Sequence, residues 1–276
     1  MSDDHHKKDR GGKDSHYARL RRQHRDRNPV VPTDKPQDGR VWLYGLHTVR
    51  AALRNPQRHH YQLWLTRNAA QRLELDLDAL PCPAEIVHPQ AIDAKLGSDA
   101  VHQGVVLECK SAAPFTLEDI KQARLVIVLD QVTDPHNVGA LMRSAVAMNA
   151  DALVTTARHS PTESGTLAKA ASGALEHLTV VQVRNLANAL TELSTRGFQT
   201  IGLDSEGPAD LESSICGARI ALVMGGEGKG LREKTRMTVN TLARLDMPGP
   251  IRSLNVSNAA VLALYIAHRH FKGTGY

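Results

Sequence analysis

The chain has 276 residues, is 41 % hydrophobic and carries a formal net charge of +5, enough for two ordinary domains with sizeable cores and a polar tail. No unbroken apolar span approaches transmembrane length and the first residues, "MSDDHHKKDRGGKD", lack an apolar signal core, so we expect a cytoplasmic protein with no membrane partner. The three cysteines, Cys82, Cys109 and Cys216, are far apart and form no metal-ligand spacing, so we expect reduced core thiols.

Residues 1–40 are predicted to be a disordered basic arm. Residues 1–28 hold nine Lys/Arg against five Asp, which places four of the five net positive charges there. A basic arm on a near-neutral body fits a polyanionic partner, and it fits a solvated tail equally well. The pair His5–His6, with His16 and His24, sits in low-complexity polar sequence without fixed metal geometry. Order is expected from "VWLYGLHTVRAALRN", where Leu46, Val49, Ala52 and Leu53 recur at helical spacing after a short strand. "YQLWLT" and "AEIVH" read as strands, and "QRLELDLDAL" and "HPQAIDAKLG" as weak helices. "GVVLEC" closes a small α/β unit over 41–109. "KSAAPFTLEDIKQA" reads as a linker around 110–122 with one helical turn.

From "RLVIVLD" onward, short apolar runs alternate with helical patterns. The runs are Leu125–Leu129, Ala152–Val154, Thr179–Val183, Gln199–Leu203, Ile220–Met224 and Leu242–Met247. This alternation predicts an α/β domain over 123–273, with a parallel sheet covered on both faces.

Three stretches carry chemistry. In "LDQVTDPHNVGALMRSAVAMNAD" a strand ends at Asp130 and a helix is expected to start near Asn137, a good N-cap. Val138, Leu141, Met142, Ala145 and Val146 form its apolar stripe. Arg143 falls off that stripe, about 9 Å along the axis from Asn137. The second stretch, "MGGEGKGL", has the look of a phosphate loop. However, Lys229 is followed by glycine rather than Ser/Thr, Val223 stands where a Walker loop needs glycine, and "GGEGKG" fails the G-x-G-x-x-G pattern. Glu227 would also repel phosphate. The glycines are better suited to bringing backbone close to a ligand. In the third, "MPGPIRSLNVSNAAVLALYIAHRHF", Ser253, Asn255 and Ser257 can each cap the last helix, which is more than a cap requires.

Together these stretches resemble the TrmH-type RNA 2′-O-ribose methyltransferases of the SPOUT superfamily. Asn137, Gly139 and Arg143 match the first family motif, "LVMGGEGKGL" the second and "SLNVS" the third, in family order. The spacer "KAASGALEHLTVVQVRNLANAL" and "VHQGVV" are also similar, and the likeness spans residues 42–271. The loop "PGPIR" is one departure, being shorter than in the relatives. The resemblance implies a deep trefoil knot in the C-terminal domain, an L30e-like RNA-binding first unit and a homodimer with its site near the interface. It implies S-adenosylmethionine held against the knotted loops, contacted by Leu203, Gly225, Gly226, Gly228, Met247, Ser253 and Leu254. It also implies that Arg143 is the activating residue, with Asn137, Glu227, Ser253 and Asn255 orienting it, the ribose or the cofactor loops. No metal is expected. The resemblance also implies that the methylated group is a guanosine ribose in large-subunit (23S) rRNA. A tRNA ribose methyltransferase, a non-catalytic RNA-binding or ribosome-assembly protein of the same fold, and a nucleotide-dependent Rossmann enzyme remain alternatives.

Overall fold

A computed structural model describes residues 39–158, 160–251 and 253–274. The basic arm and its histidines therefore lie outside the described residues. The strand β1 (Arg40–Tyr44) already begins at Arg40, one residue inside the expected arm. Helix α1 (Leu46–Arg54), strand β2 (His60–Leu65), helix α2 (Arg67–Leu73), strand β3 (Ala84–Ile86), helix α3 (Pro89–Leu96) and strand β4 (Val105–Lys110) complete the first unit. Its sheet has the order β1-β4-β2-β3, with Leu43 and Leu63 both opposite Leu107.

Helix α2 starts four residues before the stretch expected to form it. The Thr66 side chain accepts from the Ala69 N–H and caps it, and Glu74 ends it in the left-handed region at φ 53°. The rest of that stretch is a 3-10 turn, Leu77–Ala79, capped by Asp76.

The second unit alternates strands and helices: β5 (Leu125–Asp130), α4 (Pro135–Ala147), β6 (Ala152–Thr156), α5 (Gly165–Ala171), β7 (Thr179–Val183), α6 (Leu186–Thr195), β8 (Gln199–Leu203), β9 (Ala209–Asp210), α7 (Leu211–Ser214), β10 (Ile220–Gly225), α8 (Glu233–Thr238), β11 (Thr241–Arg244) and α9 (Val256–Thr274). The strands form one parallel sheet of order β7-β6-β5-β10-β8-β11-β9. Every residue of β5 is buried, as a strand covered on both faces requires. Alternate side chains go to opposite layers. Leu125, Ile127 and Leu129 pack with α4, α5 and α9, whereas Val126 and Val128 pack with α6.

The stretch expected to be a loose linker is fastened at both ends. Phe115 bridges to Val181 beside β7, and Leu117 and Ile120 are buried in the α6 layer. Arg196 donates to the Leu117 carbonyl at 2.6 Å, and Arg219 to the Lys121 and Ala123 carbonyls at 2.7 and 2.9 Å. The two units also share an interface. Ala168 of α5 is fully buried within the first unit's core, and Thr48 donates to its carbonyl at 3.0 Å. The Arg58 guanidinium reaches Glu163 and Glu176, each at 2.8 Å, and all three side chains are nearly buried. Burial alone would lower the Arg58 pKa, but the two carboxylates outweigh it and raise it. The stretch read as a linker is thus packed against the second unit, and the two units meet through a buried ion-pair cluster.

Cys82 and Cys109 are buried thiols as expected. Burial pushes Cys109 up to about 12, which leaves it protonated and inert. Cys216 departs from the expectation. It follows the short α7 in a surface turn and is exposed. Among the described residues no helix is long and apolar enough to cross a membrane.

Candidate active site

Three loops converge at the carboxyl ends of β5, β10 and β11, where open α/β sheets build their sites. After β10 the chain doubles back. Gly226 and Gly230 form an antiparallel bridge, and the Gly226 N–H donates to the Asp130 carbonyl at 2.9 Å. This closure explains the glycines. A Cβ on Gly225 would sit 2.2 Å from the Gly230 carbonyl carbon, and one on Gly226 would sit 2.4 Å from the Gln131 oxygen. Gly228 and Gly230 adopt positive φ. Asp130, fully buried, anchors the far end of the loop. Its carboxylate accepts from the Arg232 N–H at 2.9 Å and from its Nε at 2.6 Å. The sequence carries a signal for this anchor: an acid closes an otherwise apolar buried strand.

Asn137 does not cap α4, contrary to the sequence reading. The helix starts two residues earlier at Pro135, and the Asp134 side chain accepts from the His136 N–H as its cap. Asp-Pro is a strong start signal, because proline suits the first helical position. Asn137 is thereby freed for another role. Its Nδ2 donates to Glu227 Oε1 at 2.9 Å, and its Oδ1 accepts from Asn255 Nδ2 at 3.0 Å. Asn255 Nδ2 also donates to Glu227 Oε1, at 2.6 Å. Its own Oδ1 accepts from the Ser257 N–H and hydroxyl at 2.9 and 2.6 Å, so Asn255 also caps α9. One triangle of side chains therefore ties the three motifs together. Ser253 lies beside it, exposed and without a hydrogen bond among the described residues.

Next to the triangle lies a cleft of about 500 Å³, a size that suits a small-molecule ligand. Leu203, Gly225, Gly226, Gly228, Met247, Ser253 and Leu254, the residues named from the resemblance for the cofactor, all line it. Asp204, Glu206, Arg236, Leu245 and Val256 line it too and were not anticipated. Asp204 is ion-paired with Arg236 across the cleft wall. Among the described residues no group of three or more His, Cys, Asp and Glu is placed to hold a metal ion.

Arg143 is not brought to this cleft within one chain. It is exposed on α4 and lines a second cleft of about 570 Å³, between α4 and helix α1 of the first unit. Helix geometry accounts for the separation. From Asn137 to Arg143 the axis advances about 9 Å, and the rotation turns the two side chains to different surroundings.

A parallel α/β domain with a ligand cleft at its strand ends, joined to a small α/β unit, defines the class of protein. The sequence pattern of the SpoU rRNA Methylase family matches residues 124–265, and that of the RNA 2′-O ribose methyltransferase substrate binding family matches residues 42–115. The chain belongs to the SpoU rRNA methylase family. It is 35 % identical over 237 residues to the 23S rRNA (guanosine-2′-O-)-methyltransferase RlmB of Pseudomonas putida, covering 82 % of this chain and 95 % of that protein. It is 38 % identical over 236 residues to the RlmB of Ralstonia nicotianae, covering 82 % and 94 %. Among solved structures, the SpoU methyltransferase AviRb from Streptomyces viridochromogenes in complex with AdoMet shares the fold. Its TM-score is 0.73 at 21 % identity, covering 95 % of this chain and 98 % of that one.

Proposed function

We propose that this protein is an S-adenosylmethionine-dependent RNA methyltransferase acting on a ribose 2′-hydroxyl, that of a guanosine in 23S rRNA, in the cytoplasm. The observation that carries the reading is the Asn137–Glu227–Asn255 triangle at the rim of the cleft. It joins the three motifs in a chain whose relatives of 35–38 % identity bear that activity in their names. The residues fit the cofactor. Met224, Leu203, Leu245 and Leu254 give an apolar wall for a flat base, and Glu206 and Glu227 give acceptors for hydroxyl and cationic groups. The bound cofactor supplies an electrophilic methyl on a sulfonium, so no metal is required.

The chain's own residues supply positioning. Glu227 fixes the loop between β10 and α8 through two amide donors, and Asn255 fixes the start of α9. Arg143 stabilises charge at the reacting hydroxyl or its neighbouring phosphate, because a guanidinium keeps its proton at neutral pH and is not a base. The first unit, L30e-like, holds the RNA. Two features support a deep trefoil knot in the second unit. The 226–231 loop lies against Asp130 and Gln131, and the segment after β11 runs back to Asn137 and Glu227.

The active form is a homodimer. Val261, Leu262 and Tyr265 are exposed on one side of α9, an apolar stripe at helical spacing. Pairing of two chains also accounts for Arg143 standing outside the cofactor cleft of its own chain. We expect Arg143→Ala and Glu227→Ala each to abolish turnover. Dimers mixed from the two variants should regain about a quarter of wild-type activity, since half of them carry one intact site. No recovery would place Arg143 and the cleft in one chain. The activity itself is tested with labelled cofactor, unmodified 23S rRNA and tRNA, followed by mapping of alkali-resistant linkages. Methyl transfer to one guanosine ribose of 23S rRNA is expected. Transfer only to tRNA, or to neither, overturns the substrate or the function.

A further inference from the structure

The second cleft is built from two helix faces. His47, Arg50, Ala51 and Arg54 stand at i, i+3, i+4 and i+7 on α1, and Arg143, Val146 and Ala147 at i, i+3 and i+4 on α4. The turn after α5 closes its floor. There Gly173, at φ 94°, lets the chain approach so closely that an added Cβ would sit 3.0 Å from the Ala51 Cβ. His177 completes the rim.

The charge of this cleft is uncompensated. Its one carboxylate, Glu176, is taken up by Arg58 at 2.8 Å and by Asn55 at 2.6 Å. Arg50, Arg54 and Arg143 carry no ion pair among the described residues. Arg50 donates from Nη2 to the Arg72 carbonyl at 2.8 Å, which fixes its side chain, yet its Nε is buried and has no partner. An unsatisfied buried N–H costs free energy. Three guanidiniums without a counter-charge define a site for a polyanion.

We propose that this cleft seats backbone phosphates flanking the nucleotide to be methylated, with Arg50 and Arg54 as positioning residues on the same strand that Arg143 meets. The inference rests on the proposed RNA methyl transfer and names a subsite for it. Arg50 and Arg54 lie one turn apart on α1, about 6 Å along the axis, so they engage neighbouring phosphates of one strand. Phosphate contacts set register without reading sequence. The cleft is half one unit and half the other, and the buried Arg58–Glu163–Glu176 cluster holds those halves at a fixed spacing. The guanosine is thus delivered at a set distance from whatever sequence the first unit recognises.

The test compares the full chain with Arg50→Gln/Arg54→Gln, using a 23S rRNA transcript over 0.1–1 M salt. Losing two phosphate contacts should weaken RNA binding roughly twenty-fold at 0.1 M salt and flatten the log–log salt slope by about 1.4. Cofactor affinity should be unchanged, KM for RNA raised and kcat at saturating RNA largely kept. Arg50→Lys/Arg54→Lys should restore most of the slope. Arg54→Gln alone should show half the effect, and it guards against misfolding, since its exposed side chain makes no hydrogen bond among the described residues. An unchanged slope in a folded variant overturns the proposal. So does a loss of affinity that is equal at all salts. A wild type that binds RNA but transfers no methyl sinks the function instead, and the slope comparison still decides the cleft.

Discussion

At the scale of single residues, Asn255 does two jobs that substitution can separate. Its Oδ1 caps α9 and its Nδ2 holds Glu227. Serine also caps but has no amide donor at that reach. We expect Asn255→Ser to melt close to wild type, and Asn255→Ala to lose about 1 kcal/mol of capping, or roughly 2–4 °C of Tm. Both should slow single-turnover methylation by at least about ten-fold, because a hydrogen bond to a charged group is worth about 1.5–3 kcal/mol. Thermal melts with single-turnover assays check this, and an Asn255→Ser protein of normal rate would make the triangle purely structural. The sequence already pointed to this residue, since three polar residues stood where one cap was needed. The partner of Asn137 was not legible, because Asp134–Pro135 had to be recognised first as the true helix start. Nor was the position of Arg143. A helical wheel shows that a side chain leaves the core, but not what it then faces.

At the scale of elements, α4 against α5 is the tightest helix contact near the site. A Cβ on Gly139 would lie 2.6 Å from the Leu167 carbonyl oxygen, 2.6 Å from the Ala170 Cβ and 2.9 Å from the Ala171 nitrogen. Alanine is intrinsically about 1 kcal/mol better than glycine inside a helix. Here it meets backbone that has nowhere to go, and overpacking costs about 1–3 kcal/mol. Gly139→Ala should therefore lower the Tm by several degrees despite its better propensity. A raised Tm would show that α5 yields. Any shift of α4 carries Asn137 with it, so methyl transfer should fall as well. The same contrast marks what the sequence disclosed at this scale. The buried strands were legible as apolar runs, because a doubly covered strand leaves no other pattern. Their order was not, because nothing local to Ile220–Gly225 says that it inserts between β5 and β8. Two-residue β9 carries no pattern at all.

At the scale of the whole molecule, the question is where the catalytic unit begins. The sequence places the boundary at 122–123, after an apparent linker. The structure draws Leu117 and Ile120 into the α6 layer, pairs Phe115 with Val181, and ties the stretch down with Arg196 and Arg219. Burying two such side chains contributes about 3–6 kcal/mol, comparable to the whole stability of many domains. A fragment of residues 121–276 should therefore melt well below one of residues 113–276, and it should bind cofactor weakly or aggregate. The longer fragment should fold, dimerise and bind S-adenosylmethionine, because all residues lining the cleft proposed for it lie within the fragment. It will still expose the α5 surface that α1 covers, and it leaves Glu163 and Glu176 without Arg58. In the intact protein, removing Arg58 strands two nearly buried carboxylates, a loss of about 3–5 kcal/mol. In the fragment water reaches them, so the loss is smaller. Both fragments lack the whole first unit, Arg50 and Arg54 included, and should methylate RNA far more slowly at subsaturating RNA, since substrate positioning is lost while the cleft beside β10 survives. Urea melts, cofactor titration and single-turnover assays on the two fragments decide this. Equal stability would return the boundary to residue 122. Full-length rates in the longer fragment would remove the first unit from substrate positioning altogether.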